Sequence, residues 1–180
     1  MSVRLFAAVD LPARVRASLA TFRDAADPAV WRAVADDALH ITLAFLGHRS
    51  EEDVAPAAAA LDAAAGPAPR LEVGEALVLP PRRGRVLCAE IGDPDGTLAA
   101  LQARVSEGLV AAGLYAPERR DFRAHATVAR LRSGARPQRS APAGLAPEAI
   151  AFSAEALVLY RSHLGRPRAR YEPLHRVSLA

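Results

Sequence analysis

Two seven-residue stretches share one pattern: HITLAFL at residues 40–46 and HATVARL at residues 125–131. They have the same residue at the first, third, fifth and seventh positions, namely His, Thr, Ala and Leu. The chain contains only four threonines and five histidines, and two of the threonines follow a histidine by two positions. By simple counting, chance would produce this coincidence in roughly half a percent of cases. The repeat therefore indicates a duplicated functional unit, whereas a single motif would be more typical of a structural histidine in a half-buried strand.

Each stretch is predicted to be a β-strand, and side chains alternate between the two faces of a strand. His40 and Thr42 are therefore expected to share one face. Their apolar neighbours Ile41, Leu43 and Phe45 are expected on the opposite face, in the core. The first motif thus predicts an imidazole and a hydroxyl side by side on an open surface.

The second motif is expected to repeat this arrangement, with His125 and Thr127 on one face. Ala44 and Ala129 come next on the two histidine-bearing faces, where their small side chains are expected to leave room for a ligand. If a pseudo-twofold axis relates two halves of the molecule, these faces meet across a cleft.

The rest of the chain mixes strands and helices without a strict alternation. Further strands are predicted at 3–9, 71–79, 85–91, 150–160 and 169–179, and helices at 11–25, 51–65 and 95–112. The strand that carries the first motif is expected to end at Gly47, and the helix at 95–112 to begin with a cap from Asp95 and end at Gly113. This pattern favours an α+β sandwich over a doubly wound parallel sheet.

The length of 180 residues and the hydrophobic content of 51% are enough for one compact domain over residues 1–180, built from two lobes. We place a repeat boundary near the turn at 80–84. No stretch approaches the roughly 18 apolar residues that a membrane span needs. The first residues are typical of a strand and turn and not of a signal peptide, so we expect a soluble protein of the cytoplasm. The single Cys88 is expected to be a buried, inert thiol.

The 23 basic residues are all arginines, and the net charge is only +3. Codon bias explains the arginine content as well as function does, because alanine is also in excess. Their positions are more informative, since basic clusters are typical of an RNA-binding surface as well as of solvated faces. One cluster comprises Arg119, Arg120, Arg123, Arg130, Arg132, Arg136 and Arg139, and the other Arg161, Arg166, Arg168, Arg170 and Arg176.

A cleft with two histidines and two threonines suits displacement at phosphorus. Because the attacking and leaving oxygens lie on opposite sides of the phosphorus, a base and an acid are needed on opposite sides. Histidine has an unperturbed pKa of about 6.5, so one imidazole can be neutral while the other is protonated. The hydroxyls can donate to the phosphoryl oxygens, where charge develops. This chemistry needs no metal and no cofactor.

The sequence resembles the 2H phosphoesterase superfamily and, within it, the LigT-type RNA 2′,3′-cyclic phosphodiesterases, also called 2′-5′ RNA ligases. The resemblance rests on four segments, RLFAAVDLP (4–12), VWRAVADDALHITLAFLG (30–47), FRAHATVARL (122–131) and LYRSHLGRPRARYEPLHRVSL (159–179). It implies a bilobal, pseudo-twofold α+β fold with antiparallel sheets that line a central cleft and helices outside.

The resemblance also implies roles for five residues. His40 would be the proton donor and His125 the proton acceptor, while Thr42 and Thr127 would bind the phosphate. Arg130 would contact the substrate, although strand alternation places it on the face opposite His125. It would then reach the cleft only if the strand bends or ends there.

Three functions follow as hypotheses. The first is hydrolysis of the 2′,3′-cyclic phosphate of an RNA end, or of a nucleoside 2′,3′-cyclic phosphate, to a 2′-phosphomonoester by a monomeric enzyme. The second is ligation of RNA ends through a 2′-5′ linkage at the same site. The third is an RNA-binding module without catalysis, which two histidines that titrate near neutral pH argue against.

Residues outside the motifs are weaker candidates. His48 is more typical of an exposed loop position than of catalysis. His163 and His175 lie in the arginine-rich tail, where a structural role is more typical and RNA binding is the alternative. Four aromatic residues could stack on a base, although each is more typical of a core position: Phe6, Trp31, Tyr115 and Tyr160.

Overall fold

The computed structural model describes residues 2–163, 165 and 169–180. Its strands are β1 (Ser2–Asp10), β2 (Trp31–Ala33), β3 (His40–Ser50), β4 (Arg70–Leu79), β5 (Val86–Gly92), β6 (His125–Leu131), β7 (Ala151–Ser153), β8 (Ala156–His163) and β9 (Arg170–Ser178). Its α-helices are α1 (Ala13–Asp24), α2 (Val54–Ala64) and α3 (Thr97–Ala111).

The strands form one antiparallel sheet in the order β7-β4-β5-β6-β3-β1-β8-β9, and β2 pairs with β6. At its centre, β3 and β6 are joined by a single residue pair, Ile41 with Ala126. One half of the sheet therefore has four strands, β3, β1, β8 and β9, and the other has five, β6, β5, β4, β7 and β2. The predicted α+β, two-lobed class is confirmed, with the two lobes as halves of one continuous sheet.

Each helix buries one apolar face. In α1, the predicted helical spacing brings Val15, Leu19 and Phe22 into the core. In α3, Leu98, Leu101, Val105 and Leu109 are fully buried. Helices α2 and α3 pack closely where a side chain at Gly108 would lie 3.4 Å from Ala60. No helix in the described part of the chain is long and apolar enough to cross a membrane.

The start of α3 differs from the prediction. The helix begins at Thr97, and Asp93 instead of Asp95 caps it, since its carboxylate accepts two first-turn N–H groups at 3.1 and 2.9 Å. Asp95 forms an ion pair with Arg70 at 2.8 Å. The predicted end is confirmed, because Gly113 follows the helix with a φ of +73°.

Two strand predictions were wrong in detail, and one strand was missed. Strand β3 passes through Gly47, whose φ is +73°, and continues to Ser50. The strand predicted at 150–160 is two strands, because β7 pairs with β4 while β8 pairs with β1 in the other half of the sheet. The short strand β2 was not predicted, since three residues are too few to show a periodicity.

The turn at 80–84 joins β4 to β5, which pair as an antiparallel hairpin within one half of the sheet. The other half combines β1 and β3 from the start of the chain with β8 and β9 from its end. The two halves of the sheet are therefore not consecutive halves of the sequence. An internal repeat boundary near 80–84 stays a prediction.

Candidate active site

The two motifs lie on neighbouring strands at the junction of the two halves. Ile41 of β3 pairs with Ala126 of β6, and the strands are antiparallel. One step along this register in either direction places His40 across from Thr127 and Thr42 across from His125. The four polar side chains therefore alternate around the junction, with the two histidines on one diagonal and the two threonines on the other.

A β-bulge follows the threonine in each motif. On β3, Leu43 has no partner of its own, because Ala44 pairs with Ala7 and Thr42 pairs with Ala8. On β6, Val128 is the extra residue, because Ala129 pairs with Leu87 and Thr127 pairs with Cys88. An extra residue reverses the side-chain alternation beyond it.

These bulges correct the predicted faces of the residues that follow. Ala44 and Ala129 are 2% and 1% exposed, so they belong to the core and do not form a ligand floor. Phe45, predicted in the core, is 42% exposed and lines a surface hollow beside His40 and Thr42. Its counterpart in the second motif, Arg130, is also exposed and lines the same hollow, although simple alternation had placed it on the face opposite His125.

Both catalytic candidates have the same backbone anchor. The Nδ1 atom of His40 lies 2.8 Å from the carbonyl oxygen of Ala38, and that of His125 lies 2.7 Å from the carbonyl oxygen of Arg123. Because a carbonyl oxygen only accepts, Nδ1 must carry the hydrogen, and Nε2 remains for proton exchange with a ligand. In the neutral His40, Nε2 accepts a hydrogen bond from Thr42 Oγ1 at 3.0 Å.

The surroundings of His40 disfavour its protonated form. Its ring lies 4.9 Å from the ring of Phe6 and 5.3 Å from that of Tyr171, measured between centroids. The pKa of His40 is lowered to about 4, chiefly by desolvation and also by the charges of Arg130 and His125, although the carbonyl of Ala38 and the charge of Asp10 oppose this shift. A half-buried, neutral imidazole is therefore the form present in the free protein near pH 7.

Asp10 is a site residue that the sequence analysis missed. It pairs with His40 in the register of β1 and β3. Its carboxylate accepts a hydrogen bond of 2.5 Å from the Tyr160 hydroxyl and forms an ion pair with Arg176. In the sequence, Asp10 is marked only as an acidic residue that directly follows an apolar run. The same pattern is typical of a turn, so it did not indicate a site residue.

A hollow of about 540 Å³ opens beside His40 and Thr42. Its volume falls in the range of small-molecule sites. Its lining also includes Arg4, Phe6, Arg32, Phe45, Arg130 and Tyr171, and none of the described lining residues is acidic. His125 and Thr127 are not part of this lining and lie on the adjacent strand. A second hollow, of about 430 Å³, has none of the motif residues in its lining.

Two arginines of this lining face each other. Arg32 of β2 pairs with Arg130 of β6, so their side chains leave the sheet on the same side. Within the described part of the chain, neither has a carboxylate within ion-pair distance. Like charges opposite one another are destabilising, and a bound anion would relieve the repulsion. Arg32 was missed because its strand was missed.

Thr127 contacts the single cysteine. Its Oγ1 lies 3.6 Å from Sγ of Cys88, which is completely buried. Burial raises the pKa of the Cys88 thiol to about 11. The predicted buried position is thus confirmed, and the thiol stays protonated near neutral pH.

The remaining histidines lie outside the hollow. His163 and His175 contact Glu172 and Asp62 at 2.6 and 2.8 Å, and His48 is exposed. Trp31 is 4% exposed and part of the core.

The predicted basic clusters are partly neutralised. Arg120, Arg123, Arg161 and Arg176 each have a carboxylate partner. Arg166 and Arg168 lie outside the described residues. Among residues 2–163, 165 and 169–180, no group of three or more potential metal-binding side chains is close enough to hold an ion. The metal-free mechanism stays a prediction.

Comparison with known proteins gives consistent matches. The family model of the 2′-5′ RNA ligase superfamily matches residues 11–166. An Escherichia coli K12 protein named RNA 2′,3′-cyclic phosphodiesterase is 32% identical over 182 residues, which cover 98% of this chain and 96% of that protein. The crystal structure of E. coli LigT complexed with 3′-AMP is 28% identical with a TM-score of 0.81, covering 99% of both chains. The crystal structure of TT0787 of Thermus thermophilus is 31% identical with a TM-score of 0.77, covering 98% of this chain and 97% of that one.

Proposed function

Because this chain belongs to the 2′-5′ RNA ligase superfamily, we propose that it hydrolyses the 2′,3′-cyclic phosphate of RNA ends to a 2′-phosphomonoester. The name of the E. coli relative supports this substrate class. The observation that carries the proposal is the diagonal arrangement of two histidines at the β3–β6 junction, each anchored through Nδ1 so that Nε2 is the nitrogen that can exchange a proton.

The reaction replaces one bond to phosphorus by another. His125 Nε2 takes a proton from water as the water oxygen bonds to phosphorus. The bond between phosphorus and the ribose 3′-oxygen breaks, and that oxygen takes a proton from Nε2 of protonated His40. The phosphate remains on the 2′-oxygen. Solvent then restores the starting protonation of both histidines.

The substrate itself must help to protonate His40. Because burial lowers the pKa of this imidazole to about 4, few free molecules carry the proton at pH 7. A phosphate anion beside Nε2 favours the charged imidazolium and therefore raises the pKa. In this proposal, binding of the cyclic phosphate raises the pKa of His40, so that His40 becomes protonated and can act as the proton donor.

The threonines and arginines bind the phosphate. Once His40 is protonated, its Nε2 no longer accepts from Thr42, so Thr42 and Thr127 can both donate their hydroxyl hydrogens to the two non-bridging oxygens, which gain charge in the transition state. Arg130 on β6 and Arg32 on the adjoining β2 both line the hollow with positively charged side chains. An anion between them would turn their mutual repulsion into two attractive contacts.

Ligation of RNA ends stays an alternative, favoured by the name of the matching family. A ribose 5′-hydroxyl would take the place of water, and His125 would accept its proton. A monomer in the cytoplasm also stays a prediction, to be tested by light scattering and by fractionation of cells.

The proposed function is tested with RNA that ends in a 2′,3′-cyclic phosphate, incubated in buffer containing EDTA. We expect only the 2′-phosphomonoester, resolved from the 3′-isomer by chromatography, because His40 protonates the 3′-oxygen. His40→Ala and His125→Ala should each lose about 10² to 10⁴-fold in rate, the usual contribution of one acid or base. The control His48→Ala removes an exposed imidazole outside the hollow. A 3′-phosphate product, or hydrolysis that requires a divalent ion, would contradict the proposal.

A further inference from the structure

We propose that Arg4 binds a second phosphate, carried on the 5′-oxygen of the terminal ribose, so that an RNA strand is a better substrate than a free nucleoside 2′,3′-cyclic phosphate. This inference rests on the proposed function and names the substrate class that the site selects. In an RNA strand, the phosphate on this oxygen is the diester that joins the last nucleotide to the preceding one.

Within the described residues, the guanidinium of Arg4 is held by an aromatic ring and not by hydrogen bonds. Its Cζ lies 4.6 Å from the centre of the Phe45 ring. Such a contact engages the charge of the cation and leaves its N–H donors available. The Nε atom is buried and has no hydrogen-bond partner among the residues that the structure describes. A buried donor without an acceptor is costly, and this cost favours a small shift of the side chain that brings Nε to an anionic oxygen in the hollow.

The position of Arg4 fits a phosphate one nucleotide step from the reacting phosphate. Phe6 packs against the ring of His40 at 4.9 Å, and both Phe6 and Arg4 line the hollow. Arg4 precedes Phe6 by two residues on the same face of β1, which is roughly 7 Å along the strand. A bound ribose could therefore span from His40 to Arg4 across Phe6.

The charge of the hollow favours a substrate with more than one phosphate. Arg32 and Arg130 lie opposite each other on β2 and β6, whereas Arg4 is on β1, on the other side of β3. Strands β6 and β1 are two strand spacings apart, roughly 10 Å. The lining thus has two separate positive positions, and none of its described residues is acidic. Grooves that bind single-stranded nucleic acid combine positive charge with aromatic side chains in this way.

The test compares three substrates with the wild-type protein: a nucleoside 2′,3′-cyclic phosphate, the same nucleoside with a 5′-monophosphate, and a dinucleotide with the same cyclic end. We expect the 5′-phosphate, in either form, to raise kcat/KM by about 10-fold, mainly through KM, as for one charge-assisted contact. In Arg4→Gln the 5′-phosphate should no longer raise kcat/KM, and in Arg4→Lys it should still raise kcat/KM in part. The matched control Arg70→Gln removes an exposed charge outside the hollow and should keep the full gain.

A fourth substrate needs no variant. A dinucleotide whose internucleotide linkage is an uncharged methylphosphonate should lose the gain with wild-type protein. If the gain survives in the methylphosphonate, it comes from the preceding nucleoside, and the assignment of Arg4 is overturned. An unchanged gain in a folded Arg4→Gln protein, or equal kcat/KM for all substrates, would also overturn it while leaving the proposed function intact. If none of the cyclic phosphates is hydrolysed, the proposed function itself fails.

Discussion

The half-buried position of His40, against two aromatic rings, predicts that this residue makes the protein less stable in acid. Replacing it by glutamine removes the titrating imidazole and keeps a polar side chain of similar size. In the folded protein, burial lowers the pKa of His40 to about 4, whereas the unfolded chain has the ordinary value of about 6.5. As the pH falls below 6.5, the unfolded state binds a proton that the folded state does not, so stability is lost.

The size of this effect follows from the two pKa values. At pH 5, the linkage between them amounts to about 2 kcal/mol, and at pH 7.5 it is close to zero. Compared with His40→Gln, the wild-type protein should therefore lose about 2 kcal/mol of unfolding free energy between pH 7.5 and pH 5. Urea unfolding of both proteins across this range measures the difference.

The comparison cancels the titration of all other groups, because they are present in both proteins. His48→Gln, which replaces an exposed histidine outside the hollow, serves as the control variant. A stability difference between wild type and His40→Gln that stays constant from pH 7.5 to pH 5 would refute the reasoning. It would show that solvent reaches the imidazole as freely in the folded state as in the unfolded state.

Three further predictions concern catalysis. Thr42→Val and Thr127→Val should each fold normally and lower kcat by about 10²-fold, as expected for one lost donor to a developing oxyanion, and wild-type turnover would show that the hydroxyls point elsewhere. Arg32→Gln should raise KM for the cyclic phosphate and, by removing the charge opposite Arg130, leave the free protein at least as stable in urea; a clear loss of stability would contradict the repulsion described here. The pH profile of kcat/KM should be bell-shaped with limbs that belong to the histidine pair, and a flat profile from pH 5 to 9 would exclude acid and base roles.

Much of the fold could be predicted because local patterns determine it. The apolar face of α1 and the long helix α3 follow from helical spacing, and the strands next to them from short apolar runs. The comparisons confirm the family predicted from the two motifs and their flanking segments. The strand predicted at 150–160 was wrong because only long-range pairing shows that β7 and β8 lie in opposite halves of the sheet.

The candidate site was predicted only where a single strand determines it. Alternation correctly placed His40 with Thr42, and His125 with Thr127, because these pairs precede the bulges. Alternation failed for Phe45 and Arg130, because a bulge is visible only in the pairing with a neighbouring strand. Asp10, Arg32 and Arg4 were missed for a similar reason, since the sheet brings them to the hollow from other strands.

The central claim is that the two histidines act as acid and base, and the leaving group distinguishes their roles most directly. A ribose oxygen needs a proton to depart, whereas p-nitrophenolate leaves readily without one. Rates of wild type, His40→Ala and His125→Ala should therefore be compared on the cyclic phosphate and on a p-nitrophenyl phosphodiester. Both variants should be impaired on the cyclic phosphate, and only His40→Ala should recover much of its activity on the p-nitrophenyl ester. Recovery by His125→Ala instead would reverse the roles, and equal impairment of both variants on both substrates would contradict the claim.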